Sequence, residues 1–296
     1  MNSSDQSGGG RRSDARMLGS VHTVLCDLDG VVWLGRQPIP GAVEAIASIR
    51  ATGRRVLFVT NNSLATEQVL VDALAAIGVP AAGDVVSSAM AAARLLSEGS
   101  AVLVTGAQGI VEAVEGRGCI AIPNDGSVPT DCVDAVLVGL HFDFDYARLG
   151  RASAAVRAGA RYIATNDDAT FPTATGLDPG GGSIVAAVTT AAGVEPVIAG
   201  KPHRPMADLI TEMLGTADSD PMGLLMVGDR PSTDGRFAAT LGCPFALVRT
   251  GVVPPGPAQL DEVQIAFDEP DLAGLAQLLA SAPRRLATPE STDTLG

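Results

Sequence analysis

Residues 21–30 read V-H-T-V-L-C-D-L-D-G. Val21 to Cys26 is a short, mostly apolar and β-branched run that reads as a buried strand, and it stops at two carboxylates, Asp27 and Asp29, beside Gly30. Downstream, Ala42, Val43, Ile46 and Ile49 fall at helical spacing, and Gly53 stands where a helix C-cap glycine belongs. Arg55 to Val59 is a second strand, and Thr66 to Ile77 a second helix that Gly78 stops. Strand, helix, strand, helix around a loop rich in acid is the pattern of an α/β protein with a Rossmann-like parallel sheet.

After Ser88 a second alternation begins. It has strands at Val102 to Val104, Cys119 to Ile122, Ala135 to Val138 and Tyr162 to Ala164, and needs no strand from the first set. Strands at Val197 to Ala199, Leu224 to Val227 and Phe245 to Val248, with helices near Met206 to Leu214 and Ser232 to Leu241, then resemble the missing half of the first sheet. The expected organisation is a core domain over 20–88 and 194–282, interrupted at 89–193 by an α/β cap large enough to hold its own core. Residues 1–19 and 283–296 are polar and aperiodic and read as disordered tails.

The 296 residues, 46% apolar and 18% charged, describe an ordinary globular chain of about two domains. A net charge of −13 would repel a phosphate backbone or an anionic lipid surface, so neither nucleic acid nor a membrane is an expected partner. Cys26, Cys119, Cys132 and Cys243 show no zinc-ligand spacing and read as buried reduced thiols. No apolar run reaches the ~20 residues of a membrane helix, and the first residues lack a secretory apolar stretch, so a cytoplasmic location is the expectation.

Four polar clusters each follow a strand or its loop: D-L-D-G (Asp27 to Gly30), T-N-N-S (Thr60 to Ser63), G-K-P-H-R-P (Gly200 to Pro205) and G-D-R-P-S-T-D (Gly228 to Asp234). In an open parallel sheet, ligands bind beyond the carboxyl ends of the strands, so all four would face one crevice. Taken alone, Asp27 and Asp29 could form a turn. With Asp229 and Asp234 added, four carboxylates would converge and repel one another unless a cation joined them. Lys201 is one such cation. A divalent ion is the other, and oxygen ligands without nearby His or Cys suit Mg2+ better than zinc. Magnesium keeps positions for phosphate oxygens, so the site fits a phosphoryl group, with Thr60 and Asn61 as donors. A carboxylate can attack phosphorus, and a second can act as acid and base.

Together these motifs resemble the haloacid dehalogenase superfamily of phosphatases, over roughly residues 20 to 282. The position of the insertion resembles subclass IIA, with its p-nitrophenylphosphatase, phosphoglycolate, pyridoxal-phosphate and glycerol-phosphate phosphatases. The resemblance implies Asp27 as nucleophile and metal ligand, and Asp29 as general acid and base that lends its backbone carbonyl to the metal. It implies Gly30, Thr60, Asn61 and Asn62 around the phosphoryl, Lys201 neutralising it, Asp229 as a direct magnesium ligand and Asp234 behind it. Gly30 to Gly35, with Trp33, would be a flap beside the nucleophile. The chain departs from the family at Pro231, Ser232 and Gly235, which leaves the pose of Asp234 open. Similar proteins often dimerise through the cap, so a homodimer is a further expectation.

Two rival classes are a phospho-aspartate switch, which would lack the lid and the second aspartate, and a phosphoryl-binding protein of this fold without turnover. A P-loop is excluded because no G-x-x-x-x-G-K-[ST] occurs. His22 reads as structural, His203 as a helix-start residue near the crevice, and His141 has no assignment. In the insertion, Thr165 to Ser183 is rich in turn residues and is expected to reach over the site, with Asn166, Asp167, Asp168 and Pro172 touching the leaving group. The acidity of Asp143, Asp145, Asp167 and Asp168 favours neutral or cationic leaving groups on a small phosphorylated metabolite.

Overall fold

The computed structural model of the chain describes residues 15–173, 176–215, 218–252, 263–282 and 284. The first strands are β1 (Thr23–Cys26), β2 (Trp33–Leu34), β3 (Gln37–Pro38), β4 (Arg55–Thr60) and β5 (Val85–Ser87). The middle of the chain holds β6 (Ala101–Thr105), β7 (Ile120–Pro123), β8 (Ala135–Val138), β9 (Arg161–Ala164), β10 (Thr170–Thr173), β11 (Gly176–Pro179) and β12 (Val197–Ile198). The last strands are β13 (Leu224–Gly228), β14 (Phe245–Val248) and β15 (Phe267–Glu269).

A six-stranded parallel sheet runs in the order β15-β14-β13-β1-β4-β5. Chain order reverses at β1, which lies between β13 and β4, and such a switch point opens a crevice at the carboxyl ends of the strands. Register brings the motifs together there: Cys26 pairs with Val227 and with Phe58, so Asp27, Asp229 and Thr60 leave neighbouring strands side by side.

Both faces of this sheet are covered, which explains why its strands carry apolar residues at consecutive positions. Val24, Val56, Phe58, Leu225 and Val227 pack with the helices Ala42–Ala51, Glu67–Ala76 and Leu272–Ser281. Leu25, Leu57, Val59, Leu224 and Met226 pack on the other side with the helices Ser88–Ala93, Arg204–Leu214 and Arg236–Leu241.

The insertion forms a second parallel sheet in the order β12-β9-β8-β6-β7. One face, with Leu103, Val136, Val138, Tyr162 and Ala164, has its own apolar cluster with the helices Tyr146–Arg157 and Gly181–Ala192. The other face, with Val102, Val104, Leu137 and Ile163, joins the apolar cluster on the second side of the core sheet. The cap is thus partly built on the core rather than fully separate from it. The β10–β11 hairpin projects from this cap.

Three readings of the sequence are corrected. Val197–Ile198 extends the cap sheet, not the core sheet. Its partners are Ile163 and Ala164, and the N–H groups of Ala199 and Gly200 continue the pairing onto Ala164 and Thr165. Residues 15–20 are helical, so 15–19 are not part of a tail, and Leu18 is buried in the core. Ser232 to Leu241 begins as a π turn over Pro231–Gly235 before the helix Arg236–Leu241. The remainder of the proposed tails falls outside the described residues, apart from Arg284. Among the described residues no helix is long and apolar enough to cross a membrane.

Candidate active site

Asp27 follows β1 directly, and its N–H donates to the carbonyl of Val227 at 2.9 Å. Its Oδ1 accepts from Lys201 Nζ at 2.7 Å, and the same ammonium donates to Asp234 Oδ1 at 2.7 Å. Lys201 and Asp234 are almost fully buried, so neither charge is solvated and the pairing is what makes them tolerable. Burial works against the charge on Lys201, but Asp234 and Asp27 outweigh it and raise the pKa of the ammonium.

One oxygen from each of Asp27, Asp229 and Asp234 can lie within 4.8 Å of the others. Burial, then the nearby carboxylates, hold Asp27 well above the usual carboxylate range despite its bond to Lys201. Burial and then Asp234 push Asp229 up to about 6. Lys201 alone does not balance three buried acids, and the donors are hard oxygens with no imidazole or thiolate, so the set fits a hard divalent cation. Asp234 has Oδ1 on Lys201 and Oδ2 accepting from the N–H of Arg230 at 3.2 Å. Asp229 Oδ2 accepts from the N–H of Val252 at 2.7 Å.

Asp29 is turned differently. Its Oδ1 accepts from Trp33 Nε1 at 3.1 Å, leaving Oδ2 to carry a proton. Desolvation inside the crevice raises its pKa against the pull of Trp33 and Lys201, in the direction a general acid needs. Trp33 belongs to the short β2–β3 hairpin, so the proposed flap is a built turn with a buried indole.

The fourth motif shows why its unusual residues fit. A Cβ at Gly235 would lie 2.4 Å from Val263 Cγ1 and 3.2 Å from the ring of Phe245, so a β-branched side chain has no room there. Pro231 opens the π turn that carries Asp234 inward to Lys201.

The phosphoryl-binding residues expected from the second motif separate into two kinds. Thr60 lines the cavity with its Oγ1 accepting from the N–H of Asn62 at 3.0 Å, so its proton stays available to donate. Asn62 lines it too, with Oδ1 accepting from Leu64 at 2.9 Å to form a local turn. The Asn61 carboxamide is bound to Lys201 and Asp168 instead, and its side chain is not free for a phosphoryl group.

The cavity over these residues measures about 510 Å³, within the range of small-molecule sites. Asn166 and Asp168 line its cap side with Leu140 and Phe171. Asp167 does not. Its carboxylate faces His203 Nε2 at 3.1 Å, a hydrogen bond that holds it below the usual carboxylate range. The side chain of Pro172 falls outside the described residues. His203 sits at the N-cap of the helix Arg204–Leu214, outside the cavity lining, and His141 Nδ1 is buried without a partner.

The charge argument about leaving groups is corrected by this arrangement. Of the four lid carboxylates only Asp168 lines the cavity, whereas Asp145 caps the helix Tyr146–Arg157 and pairs with Arg148. Arg36 and Arg230 line the mouth instead. Arg230 stood inside a recognised motif, but Arg36 lies at a hairpin tip and carries no periodic signal.

A family model described as haloacid dehalogenase-like hydrolase matches residues 24–120, and one described as HAD-hydrolase-like matches 198–274. A D-glycerol 3-phosphate phosphatase of Mycobacterium tuberculosis is 40% identical over 234 residues, 77% of this chain; the match spans 63% of that relative's length. The 5'-nucleotidase YutF of Bacillus subtilis is 35% identical over 232 residues, 77% of this chain and 87% of its own. The crystal structure of glycerol phosphate phosphatase Rv1692 from Mycobacterium tuberculosis in complex with magnesium superposes with a TM-score of 0.76 at 36% identity, covering 88% of this chain and 78% of that one. The chain belongs to the haloacid dehalogenase-like hydrolases, as a phosphatase of subclass IIA that cleaves phosphoric monoesters.

Proposed function

We propose that the protein is a magnesium-dependent phosphatase that hydrolyses small phosphomonoesters through an aspartyl-phosphate on Asp27. The observation that carries this reading is the position of Lys201 Nζ, 2.7 Å from both Asp27 and Asp234, with an oxygen of Asp229 within 4.8 Å of an oxygen of each of those carboxylates. Asp27, the backbone carbonyl of Asp29 and Asp229 would hold the ion. When bound, it offsets the charge of the acids so that a phosphate dianion can approach them.

Lys201 holds Oδ1 of Asp27, which leaves Oδ2 to attack phosphorus. As the P–O bond to the leaving group breaks, Asp29 gives its proton to the departing oxygen. Asp29, now a carboxylate, takes a proton from water, and the resulting hydroxide attacks phosphorus and frees Asp27. Thr60 donates to a phosphoryl oxygen throughout. The leaving group lies between Leu140, Phe171, Asn166 and Asp168 on the cap and Arg36 and Arg230 on the core. Glycerol phosphate, a mononucleotide, a sugar phosphate, pyridoxal phosphate and phosphoglycolate are all of suitable size.

The test is phosphate release from that panel and from p-nitrophenyl phosphate, with magnesium and with a chelator. Hydrolysis that chelation stops and magnesium restores is expected, together with loss of turnover by at least about 10³-fold in Asp27→Asn. Retained activity in that variant would remove Asp27 as nucleophile, and a phospho-protein that persists would indicate a switch instead. A homodimer through the cap is part of the same proposal, and sedimentation of the purified chain checks it.

A further inference from the structure

The side chain of Asn61 has every hydrogen-bonding group engaged. Its Oδ1 accepts from the N–H of Lys201 at 2.8 Å, and its Nδ2 donates to the Lys201 carbonyl and to Asp168 Oδ2, each at 2.9 Å. One carboxamide therefore pairs with both backbone groups of a single residue, as a neighbouring strand would, and sends its remaining proton into the cap. Asn61 is itself pinned: its carbonyl accepts from Ser88 Oγ at 2.7 Å and from Asn166 Nδ2 at 2.9 Å. Gly200 makes room for this pairing, because a Cβ there would lie 2.5 Å from Asn61 Oδ1 and 2.6 Å from the carbonyl of Thr165.

Lys201 needs an anchor of this kind. Asp27 is held by the core sheet and Asp234 by the π turn, but Lys201 sits in a turn past the end of β12 with no strand beside its own backbone. Its side chain has four rotatable carbons, yet Nζ must meet two carboxylates at once, and reactive constellations tolerate displacements of only about 0.5 Å. Asp168, the other partner of the Asn61 side chain, also faces Arg230 Nη1 at 3.8 Å, so the cap carboxylate is drawn toward the core from two sides.

We propose that Asn61 is a positioning residue: its carboxamide fixes the main chain of Lys201, and hence Nζ against Asp27, and its bond to Asp168 ties that placement to the seating of the cap. The inference rests on the phosphatase reading above. It assigns Asn61 no contact with substrate through its side chain.

The experiment compares wild type, Asn61→Ala, Asp168→Ala and the double variant, with magnesium present, using p-nitrophenyl phosphate as substrate and inorganic phosphate as competitive inhibitor. Asn61→Ala should lower kcat by about 100-fold while KM and the phosphate inhibition constant stay within about threefold. Asp168→Ala should lower kcat by about tenfold, and with the aryl ester the double variant should be no slower than Asn61→Ala, because the part of Asp168 that bears on Lys201 runs through its bond to Asn61. A crystal structure of Asn61→Ala should show Nζ moved by more than about 0.5 Å from its place between Asp27 and Asp234. A weaker phosphate inhibition constant in Asn61→Ala, losses that multiply in the double variant, or an unmoved Nζ would each overturn the proposal. A wild type without magnesium-dependent hydrolysis would overturn the phosphatase reading itself, and with it any reaction for Asn61 to serve.

Discussion

Gly30 lies so close to Asp229 that a methyl group at position 30 would sit 2.6 Å from the carboxylate carbon. Gly30 also has φ of 87°, and its carbonyl accepts from Thr250 Oγ1 at 2.5 Å, so both backbone and contact demand glycine. Gly30→Ala should therefore displace Asp229 and lower magnesium-dependent hydrolysis by at least about 100-fold, with a loss of about 1–2 kcal/mol in urea unfolding from the left-handed backbone. Full activity in Gly30→Ala would mean that the acidic cluster tolerates a shift of Asp229.

The free oxygen of Asp29 leads to a leaving-group prediction. Asp29→Asn should slow the phosphoryl-transfer step with glycerol phosphate, whose alkoxide needs a proton, by about 10²–10⁴-fold. The loss should be much smaller for p-nitrophenyl phosphate, whose phenolate leaves unaided. Equal losses with both esters in single-turnover release of the alcohol or phenol, the step that precedes the base role of Asp29, would take the acid role away from it.

Arg54 supports the fold rather than the chemistry. It is buried, and its guanidinium donates to the carbonyls of Val21, Leu18, Leu279 and Ala282 and to Thr52 Oγ1. It thereby closes the carboxyl end of the helix Leu272–Ser281 and ties residues 15–20 to it. Arg54→Met strands these acceptors and should cost about 3–5 kcal/mol in denaturant unfolding, with kcat per folded molecule unchanged.

Tyr162 makes the cap sensitive to alkali. Its hydroxyl donates to the carbonyl of Val185 at 3.0 Å, and burial pushes its pKa up to about 12 from 10.0. Between those values the folded chain keeps a proton that the unfolded chain releases. The stabilisation is thus complete below pH 10 and lost as pH rises toward 12, by an amount on the order of 2 kcal/mol. Tyr162→Phe should start less stable at pH 8 but fall less steeply above pH 10. Parallel urea midpoints for the two proteins between pH 9 and 11 would contradict this.

What was legible in the chain alone was local. The run ending in Asp27 and Asp29 marks a strand and the acids it delivers, because β-branched packing and a polar strand end are properties of adjacent residues. The parallel α/β architecture follows from the same alternation, and the motif order carries the family. The partner of Val197–Ile198 was not legible. Two apolar residues fit the edge of either sheet, and the open edge beside Ile163 and Ala164 takes them. The orientation of Asn61 was not legible either, since an amide can face a phosphoryl group or a backbone, and the turn at Lys201 lies 140 positions away. Likewise, the acids of the cap could be counted from the chain, but only packing sends Asp145 to a helix start, Asp167 to His203 and Asp168 to the cavity. Sequence periodicity reports which residues must be buried; which distant neighbour meets each polar group is settled when the sheets and helices close around the crevice.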